Sequence, residues 1–212
     1  MQLVIVLSHL PVLLVAIYAC SVYKTLPSEL RIFCFFLVVS AFFQMLSLAF
    51  WFQQKNNMFV LHFLVPVRFL ILSVFYSRVL KDFLNRNIIL AVVLLFLVFS
   101  LINSTLIQKI GTFNSYALTL EGVWLCILSL SSYIFLVHES VSELRARTVG
   151  GLNWLSSGLF LYYSSTLLIF YSGNIITKKF SLSASLYTWA IHSFFSVLMY
   201  ICFFIGFWKG KS

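Results

Sequence analysis

Seven long runs of apolar residues occupy most of this chain, and each is long enough to cross a lipid bilayer as a helix. A membrane-spanning helix needs about 20 predominantly apolar residues. The runs lie at residues 2–23, 30–52, 58–80, 88–106, 116–137, 152–173 and 185–208. They are continuous rather than alternating, which excludes a transmembrane β-barrel. The sequence therefore predicts an all-α, polytopic membrane protein, with residues 1–212 forming a single seven-transmembrane-helix bundle.

Composition supports lipid as the solvent of this chain. Hydrophobic residues make up 62% of its 212 residues and charged residues only 9%. A soluble domain of this length could not bury so much apolar surface. The first run has no basic residues before it and no short apolar segment ending at a cleavage site, so we expect it to be the first transmembrane helix and not a signal peptide.

Lysine and arginine are distributed unequally between the two ends of the predicted bundle. Nine of them lie at the end of the bundle where spans 1, 3, 5 and 7 finish, whereas four lie at the other end. Cytoplasmic loops are richer in these residues, which places the N-terminus outside and the C-terminus in the cytoplasm. The net charge of +9 is therefore interpreted as basic loops that face anionic lipid, with no nucleic acid as partner. We expect a multi-pass protein of a bacterial inner (plasma) membrane.

A cation lies close to the centre of the third run. Arg68 would meet lipid there at a cost of several kcal/mol unless it points into the bundle and meets an anion. Glu121 in the fifth run is the one carboxylate at a comparable depth, so a buried Arg68–Glu121 ion pair is predicted. If Glu121 does not reach, an anionic ligand or a lipid phosphate is the next candidate, because guanidinium binds either one through two parallel hydrogen bonds.

Other ionisable residues within the spans also fall between the outer surface and the midplane. His62 and His192 lie at such depths in runs three and seven, counted at about 1.5 Å per residue. Tyr162 belongs to a polar stripe on the sixth run, which fits either a packed helix–helix face or the lining of a pocket. We therefore predict an outward-facing polar cavity or buried polar cluster of five residues: His62, Arg68, Glu121, Tyr162 and His192.

Pro66 lies between the histidine and the arginine of the third run. Proline cannot donate to the carbonyl of residue 62 and clashes with it, which predicts a helix kink at this point. A carbonyl freed within a bilayer is tolerated only beside protein or a wet cavity. The kink would therefore suit a helix that lines a pocket.

Several functional classes lack the residues that they need. The seventh run has no lysine for a retinal Schiff base before its end, and the four cysteines form no C-x-x-C pair. Three histidines lie in the spans, but on separate runs and without metal-ligand spacing, so an intramembrane zinc hydrolase is the less favoured alternative. No catalytic residue, metal or other cofactor is predicted.

Three stretches carry a resemblance: LHFLVPVRFLILSVFYSRVL in the third run, NWLSSGLFLYYSSTLLIF in the sixth and WAIHSFFSVLMYICFFIGFWK in the seventh. Together they resemble a group of small seven-helix membrane proteins of Bacteroidetes-type bacteria, often found beside sensor histidine kinases. That group has an acidic residue where this chain has Arg68, so no role is carried over for that position. The resemblance implies an association with signalling.

The expected function is that of a receptor-like or accessory membrane protein. A small anionic or amphipathic ligand, or membrane lipid, would bind in the outward-facing cavity. The signal would pass to a membrane or cytoplasmic protein partner through the long loop 138–151, with Glu143, Arg145 and Arg147 as contacts. The alternative is a structural subunit of a larger membrane complex, in which the polar cluster holds the bundle together.

Overall fold

The described residues of the chain form helices joined by short turns. The computed structural model describes the backbone of residues 2–138 and 143–211, and the side chains of residues 9–136 and 148–211. The helices are α1 (Gln2–Ser21), α2 (Ser28–Phe52), α3 (Phe59–Val79), α4 (Arg86–Ile102), α5 (Ser115–His138), α6 (Glu143–Lys179) and α7 (Leu182–Gly210). A 3₁₀ turn, Tyr23–Thr25, follows α1, and a π-helical turn, Asn103–Ile107, extends α4.

Membrane-compatible helices account for nearly all of this structure. Within the described residues, six helices are long and apolar enough to cross a bilayer, and His9–Ser21 adds a shorter apolar helix. Each predicted run coincides with one observed helix, which confirms an all-α architecture suited to a membrane.

Short polar signals begin several of these helices. Pro27 precedes α2, where its missing N–H costs nothing because the first turn of a helix has no intrahelical acceptor for it. The side chain of Asn85 accepts a hydrogen bond from the backbone N–H of Asn87 at the start of α4, and that of Ser181 accepts from Ala184 at the start of α7. These caps satisfy backbone donors that a helix leaves unpaired at its N-terminus.

Six of the helices form a closed ring, and α4 packs outside it. Around the ring, α1 contacts α2, α2 contacts α3, α3 contacts α5, α5 contacts α6, α6 contacts α7, and α7 returns to α1. Phe33 of α2 lies at the centre of one packed layer, with its ring 5.1 Å from that of Phe75 and 4.8 Å from that of Phe203. On the outside, Phe96 of α4 stacks on Phe69 of α3.

Helix α6 is much longer than the predicted span 152–173. Its 37 residues reach about 55 Å at 1.5 Å per residue, whereas the hydrocarbon core of a bilayer is about 30 Å thick. Residues 143–151 and 174–179, which the sequence predicts as parts of loops, therefore belong to this helix. Only Phe180 and Ser181 separate α6 from α7, so the two helices form a tight antiparallel hairpin.

Glycines that look like helix breaks in the sequence are sites of close helix packing. A Cβ atom on Gly151 would come within 2.9 Å of the Gly206 carbonyl oxygen, and one on Gly158 within 3.0 Å of the Met199 carbonyl oxygen. A glycine inside a helix costs only about 1 kcal/mol relative to alanine, so packing can retain it. Close contact of small residues is a main source of helix association in lipid.

We expect Gly151→Ala to destabilise the fold and Gly150→Ala to leave it unchanged or slightly more stable. The added methyl group on Gly151 meets backbone atoms of α7, which cannot rotate away, whereas the space beside Gly150 is open. Overpacking of this kind costs about 1–3 kcal/mol, while the alanine at position 150 gains helix propensity. Unfolding titrations in detergent measure both; equal effects of the two substitutions would contradict this packing.

Candidate functional site: a buried ion pair beside a polar cavity

The predicted ion pair is present between α3 and α5. The Nε of Arg68 donates to Oε1 of Glu121 at 2.7 Å, and Nη2 donates to Oε2 of the same carboxylate. This is the two-pronged geometry in which guanidinium binds carboxylate most strongly. Glu121 is fully buried, whereas the Arg68 side chain retains 14% of its exposure. One face of the cation is therefore paired and another remains accessible.

The ring architecture explains why these two side chains meet. Helices α3 and α5 are neighbours that run in the same direction, and Arg68 and Glu121 lie nine and six residues from their first residues. At 1.5 Å per residue these positions differ in depth by only about 5 Å, which the long arginine side chain spans. An isolated charge at this depth would be costly, and the opposite charge compensates it.

Two tyrosines of α6 complete the surroundings of the ion pair. The guanidinium carbon of Arg68 lies 5.7 Å from the ring centre of Tyr163, within cation–π range. The preceding residue, Tyr162, hydrogen-bonds through its hydroxyl to Nε2 of His192 at 2.8 Å. Helices α3, α5, α6 and α7 are thus linked by polar contacts at a single level of the bundle.

A cavity of about 250 Å³, here called the Arg68 cavity, opens beside this cluster. It lies toward the end of the bundle that carries the N-terminus and the turns α2–α3, α4–α5 and α6–α7. Its lining mixes polar and aromatic side chains: His9, Phe43, Gln44, Ser47, Arg68, Phe113, Tyr162, Phe170, Trp189, His192, Ser193 and Ser196, with Val60, Leu61, Leu64 and Leu118. Three of the five predicted residues, Arg68, Tyr162 and His192, line this cavity. Glu121 lies behind Arg68.

Arg68 has hydrogen-bonding capacity left over at the cavity wall. A guanidinium carries five N–H groups, and Glu121 accepts from only two of its nitrogens. Among the described residues, no other side chain or carbonyl accepts a hydrogen bond from this guanidinium. The remaining N–H groups can therefore donate to a molecule that enters the cavity.

A layer of buried leucines follows the ion pair toward the other end of the bundle. One helical turn beyond the ion pair, α3, α5 and α6 contribute Leu72, Leu125 and Leu159, all of which have no exposed surface. A further turn along α3, the hydroxyl of Tyr76 hydrogen-bonds to Ser129 and Ser156 at 2.9 and 3.2 Å. An apolar layer thus separates the Arg68 cavity from a buried hydroxyl cluster.

His62 does not belong to the cavity, contrary to our prediction for it. Its ring nitrogens lie 2.8 Å from the hydroxyl oxygen of Ser104 and 3.1 Å from the Thr112 carbonyl oxygen. The predicted depth placed His62 near Arg68, but six residues along an α-helix rotate a side chain to about 120° from its starting direction. His62 therefore faces α4 and the turn that follows it.

The turn between α4 and α5 is held down by several amides as well. Asn56 donates to the Gly111 carbonyl at 2.8 Å, and Asn174 of α6 donates to the Phe113 carbonyl at 2.7 Å. Phe113 in turn lines the cavity and contacts Trp189, with ring centres 5.3 Å apart. Neither asparagine is among the predicted site residues, although an asparagine just beyond an apolar run is a usable signal for an anchored turn.

Pro66 lies within α3, which the structure assigns as one helix from Phe59 to Val79. Its side chain lines a crevice on the α4 side of α3, together with His62. The predicted kink remains a prediction, and the proline does not line the Arg68 cavity.

The proposed partner contacts Glu143, Arg145 and Arg147 fall outside the residues whose side chains the structure describes. Within the described residues, no three His, Cys, Asp or Glu side chains lie close enough together to hold a metal ion.

Removal of one partner of the ion pair should be much more harmful than removal of both. We expect Arg68→Met or Glu121→Leu alone to cost about 3–5 kcal/mol of stability, because each leaves an uncompensated buried charge. The double variant should cost less than either single variant, and therefore well below the sum of the two. Unfolding in detergent measures this coupling, with Lys55→Met, an exposed cation at the same end of the bundle, as the control; additive effects would contradict the pair.

Comparison with models of known protein families, with curated proteins and with solved structures finds no match for this chain. The function is therefore inferred from the residues and geometry of the cavity.

Proposed function

We propose that this chain is a receptor-like or accessory protein of a bacterial inner membrane that binds a small anionic or amphipathic molecule in the Arg68 cavity. In this proposal α1 also crosses the membrane, which brings the number of spans to seven. The N-terminus lies outside the cell, and the cavity opens to the outer side. The excess of lysine and arginine at the other end supports this orientation.

The observation that carries the proposal is the position of Arg68 at the wall of a cavity. A buried ion pair that only joined two helices could be sealed on all sides by apolar packing. Here the guanidinium reaches the cavity with unused N–H groups, next to the Tyr162–His192 pair. Convergent polar groups in an otherwise aromatic pocket are the usual basis for orienting a small ligand.

The size and lining of the cavity limit what could bind. A volume of about 250 Å³ lies just below the range of roughly 300–1,000 Å³ typical of drug-sized ligands. The rings of Phe43, Phe170 and Trp189 would contact an apolar body, while Arg68 would bind a carboxylate or another hydrogen-bond-accepting head. A small amphipathic acid or the headgroup end of a lipid fits both requirements.

The route for a signal would be α3 itself. An anionic head that takes hydrogen bonds from Arg68 weakens its attraction to Glu121, and α3 and α5 would then favour a different relative position. A ligand shifts such an equilibrium only by its difference in affinity for the two states. At the far end of α3 lie Arg78 and the basic turn that follows it, from which a protein partner could detect the change.

The second candidate, a subunit of a larger membrane complex, is favoured by the position of α4. This helix packs mainly on α3, outside the ring, and Leu94, Leu95 and Leu101 are 64%, 71% and 67% exposed. A partner helix could cover that face. Native mass spectrometry of the protein extracted from membranes separates the two candidates, because a stable subunit retains its partners.

Ligand binding should depend on the fork geometry of Arg68. We expect phenylpropionate to raise the melting temperature of the detergent-solubilised protein, and phenylpropylamine, its cationic counterpart, to have no effect. Arg68→Lys should weaken phenylpropionate binding about tenfold or more, because lysine cannot pair with Glu121 and offer a second planar set of donors at once. Arg86→Lys, at an exposed arginine that lines neither of the charged cavities, is the matched control. Equal stabilisation by the acid and the amine would rule out this binding mode.

The proposed orientation can be measured by labelling single cysteines from one side of the membrane. Lys109→Cys and Arg86→Cys place thiols at exposed positions on opposite ends of the bundle. With an impermeant maleimide on intact spheroplasts, we expect Lys109→Cys to react and Arg86→Cys to react only after lysis. The unsubstituted protein gives the baseline of the natural cysteines, and the opposite labelling pattern would invert the proposed topology.

A further inference from the structure

A second cavity, here called the Arg78 cavity, lies at the opposite end of the bundle. Its volume is about 230 Å³, and it is framed by the first residues of α2, the last turn of α3, and the facing parts of α5 and α6. Its lining residues are Pro27, Glu29, Arg78, Val79, Lys81, Phe135, Leu136, Thr148, Val149 and Leu152. Their positions at helix ends place the cavity at the level of lipid headgroups, on the side predicted to be cytoplasmic.

The charged groups of this cavity have both signs. Arg78 has no acidic partner within ion-pair distance among the described residues, and Lys81 lies 4.0 Å from Asp82, both largely exposed. Glu29 accepts a hydrogen bond from Ser28 at 3.0 Å and has no cationic partner in the described part of the chain. A positive pair of residues and a separate carboxylate thus face one small space.

The inner wall of the Arg78 cavity is apolar. Val79, Leu136 and Leu152 are each at most 7% exposed and belong to the bundle core. Beside them, Phe135 is only partly buried and leads toward the lipid-facing side of α5. A molecule in this cavity would therefore have a charged end among Glu29, Arg78 and Lys81 and could extend apolar groups along Phe135.

We propose that the Arg78 cavity binds the phosphoethanolamine headgroup of a membrane phospholipid. Arg78 and Lys81 would donate hydrogen bonds to the phosphate, and Glu29 would accept from the primary ammonium group. The cavity presents charges of both signs, which suits this zwitterionic headgroup better than it suits other common headgroups. A phosphoglycerol head leaves Glu29 without a cation, and a choline head has no N–H to donate.

This inference is independent of the Arg68 cavity. The two cavities share no lining residue and lie at opposite ends of α3. Either site could be absent without affecting the evidence for the other.

The test compares lipids of identical acyl chains that differ only in headgroup. We expect native mass spectrometry of the delipidated full-length protein to show phosphatidylethanolamine binding about tenfold tighter than phosphatidylglycerol or phosphatidylcholine. Arg78→Ala should weaken phosphatidylethanolamine binding about tenfold, the usual scale for loss of one charge-assisted hydrogen bond. Arg86→Ala removes an exposed arginine at the same end that does not line the cavity, and should change nothing.

Glu29→Gln distinguishes recognition of the amine from general attraction to phosphate. It should remove the preference for phosphatidylethanolamine over phosphatidylglycerol while leaving phosphatidylglycerol binding unchanged or tighter. Size-exclusion profiles in detergent establish whether each variant is folded. If Arg78→Ala does not fold, the near-isosteric Glu29→Gln variant still tests the proposal. Equal affinity for the three lipids in the unsubstituted protein, or equal losses in Arg78→Ala and Arg86→Ala, would overturn the proposal.

Discussion

The hydrogen-bonded ion pair between Arg68 and Glu121 is the constraint on which the arrangement of the ring depends. Hydrophobic burial does not drive helices together in lipid, because lipid tails are as apolar as leucine, so close packing and polar contacts decide which helices become neighbours. A cation and a carboxylate on different helices must instead find each other or remain at high energy. The pair makes α3 and α5 adjacent, and the Tyr163 ring beside the guanidinium brings α6 against both. The Arg68 cavity forms where these helices meet α7.

Three different layers of side chains follow one another along the interface of α3, α5 and α6. The ion pair is followed by the leucine layer of Leu72, Leu125 and Leu159, and that layer by the hydroxyl cluster around Tyr76. The Arg78 cavity lies beyond the cluster. Because these leucines are fully buried, a continuous water path between the two cavities is unfavourable, which agrees with the binding function proposed above. In the proposed function, these packed layers would transmit a displacement of α3 from one end of the bundle to the other.

Much of this arrangement follows from the sequence, and the misplaced features have physical causes. The ion pair was predictable because Glu121 is the one carboxylate at the depth of Arg68. Depth alone does not give the direction of a side chain around its helix. For this reason His62 was predicted beside Arg68, whereas it faces α4 and the turn that follows. The glycines at 150–151 and 173 look like loop residues, yet a Cβ on Gly173 would collide with Phe113, and Gly151 contacts α7. The local sequence does not distinguish a glycine that packs against a distant helix from a glycine that ends a helix.

The stability that a buried ion pair contributes does not by itself explain the presence of Arg68 and Glu121 in the bundle. Replacement of a buried pair by apolar residues of similar volume is often neutral or stabilising, so stability alone is a weak reason for placing Arg68 and Glu121 in the bundle. An ion pair with a purely structural role would also contribute most to stability if every N–H group had an acceptor and no cavity lay beside it. Arg68 has the opposite features: unused donors, residual exposure and a cavity lined by hydroxyl, imidazole and aromatic groups. In the proposed function, Glu121 neutralises the cation when the cavity is empty and the head of the ligand competes for the cation when it is filled, so the site would be stable in both states.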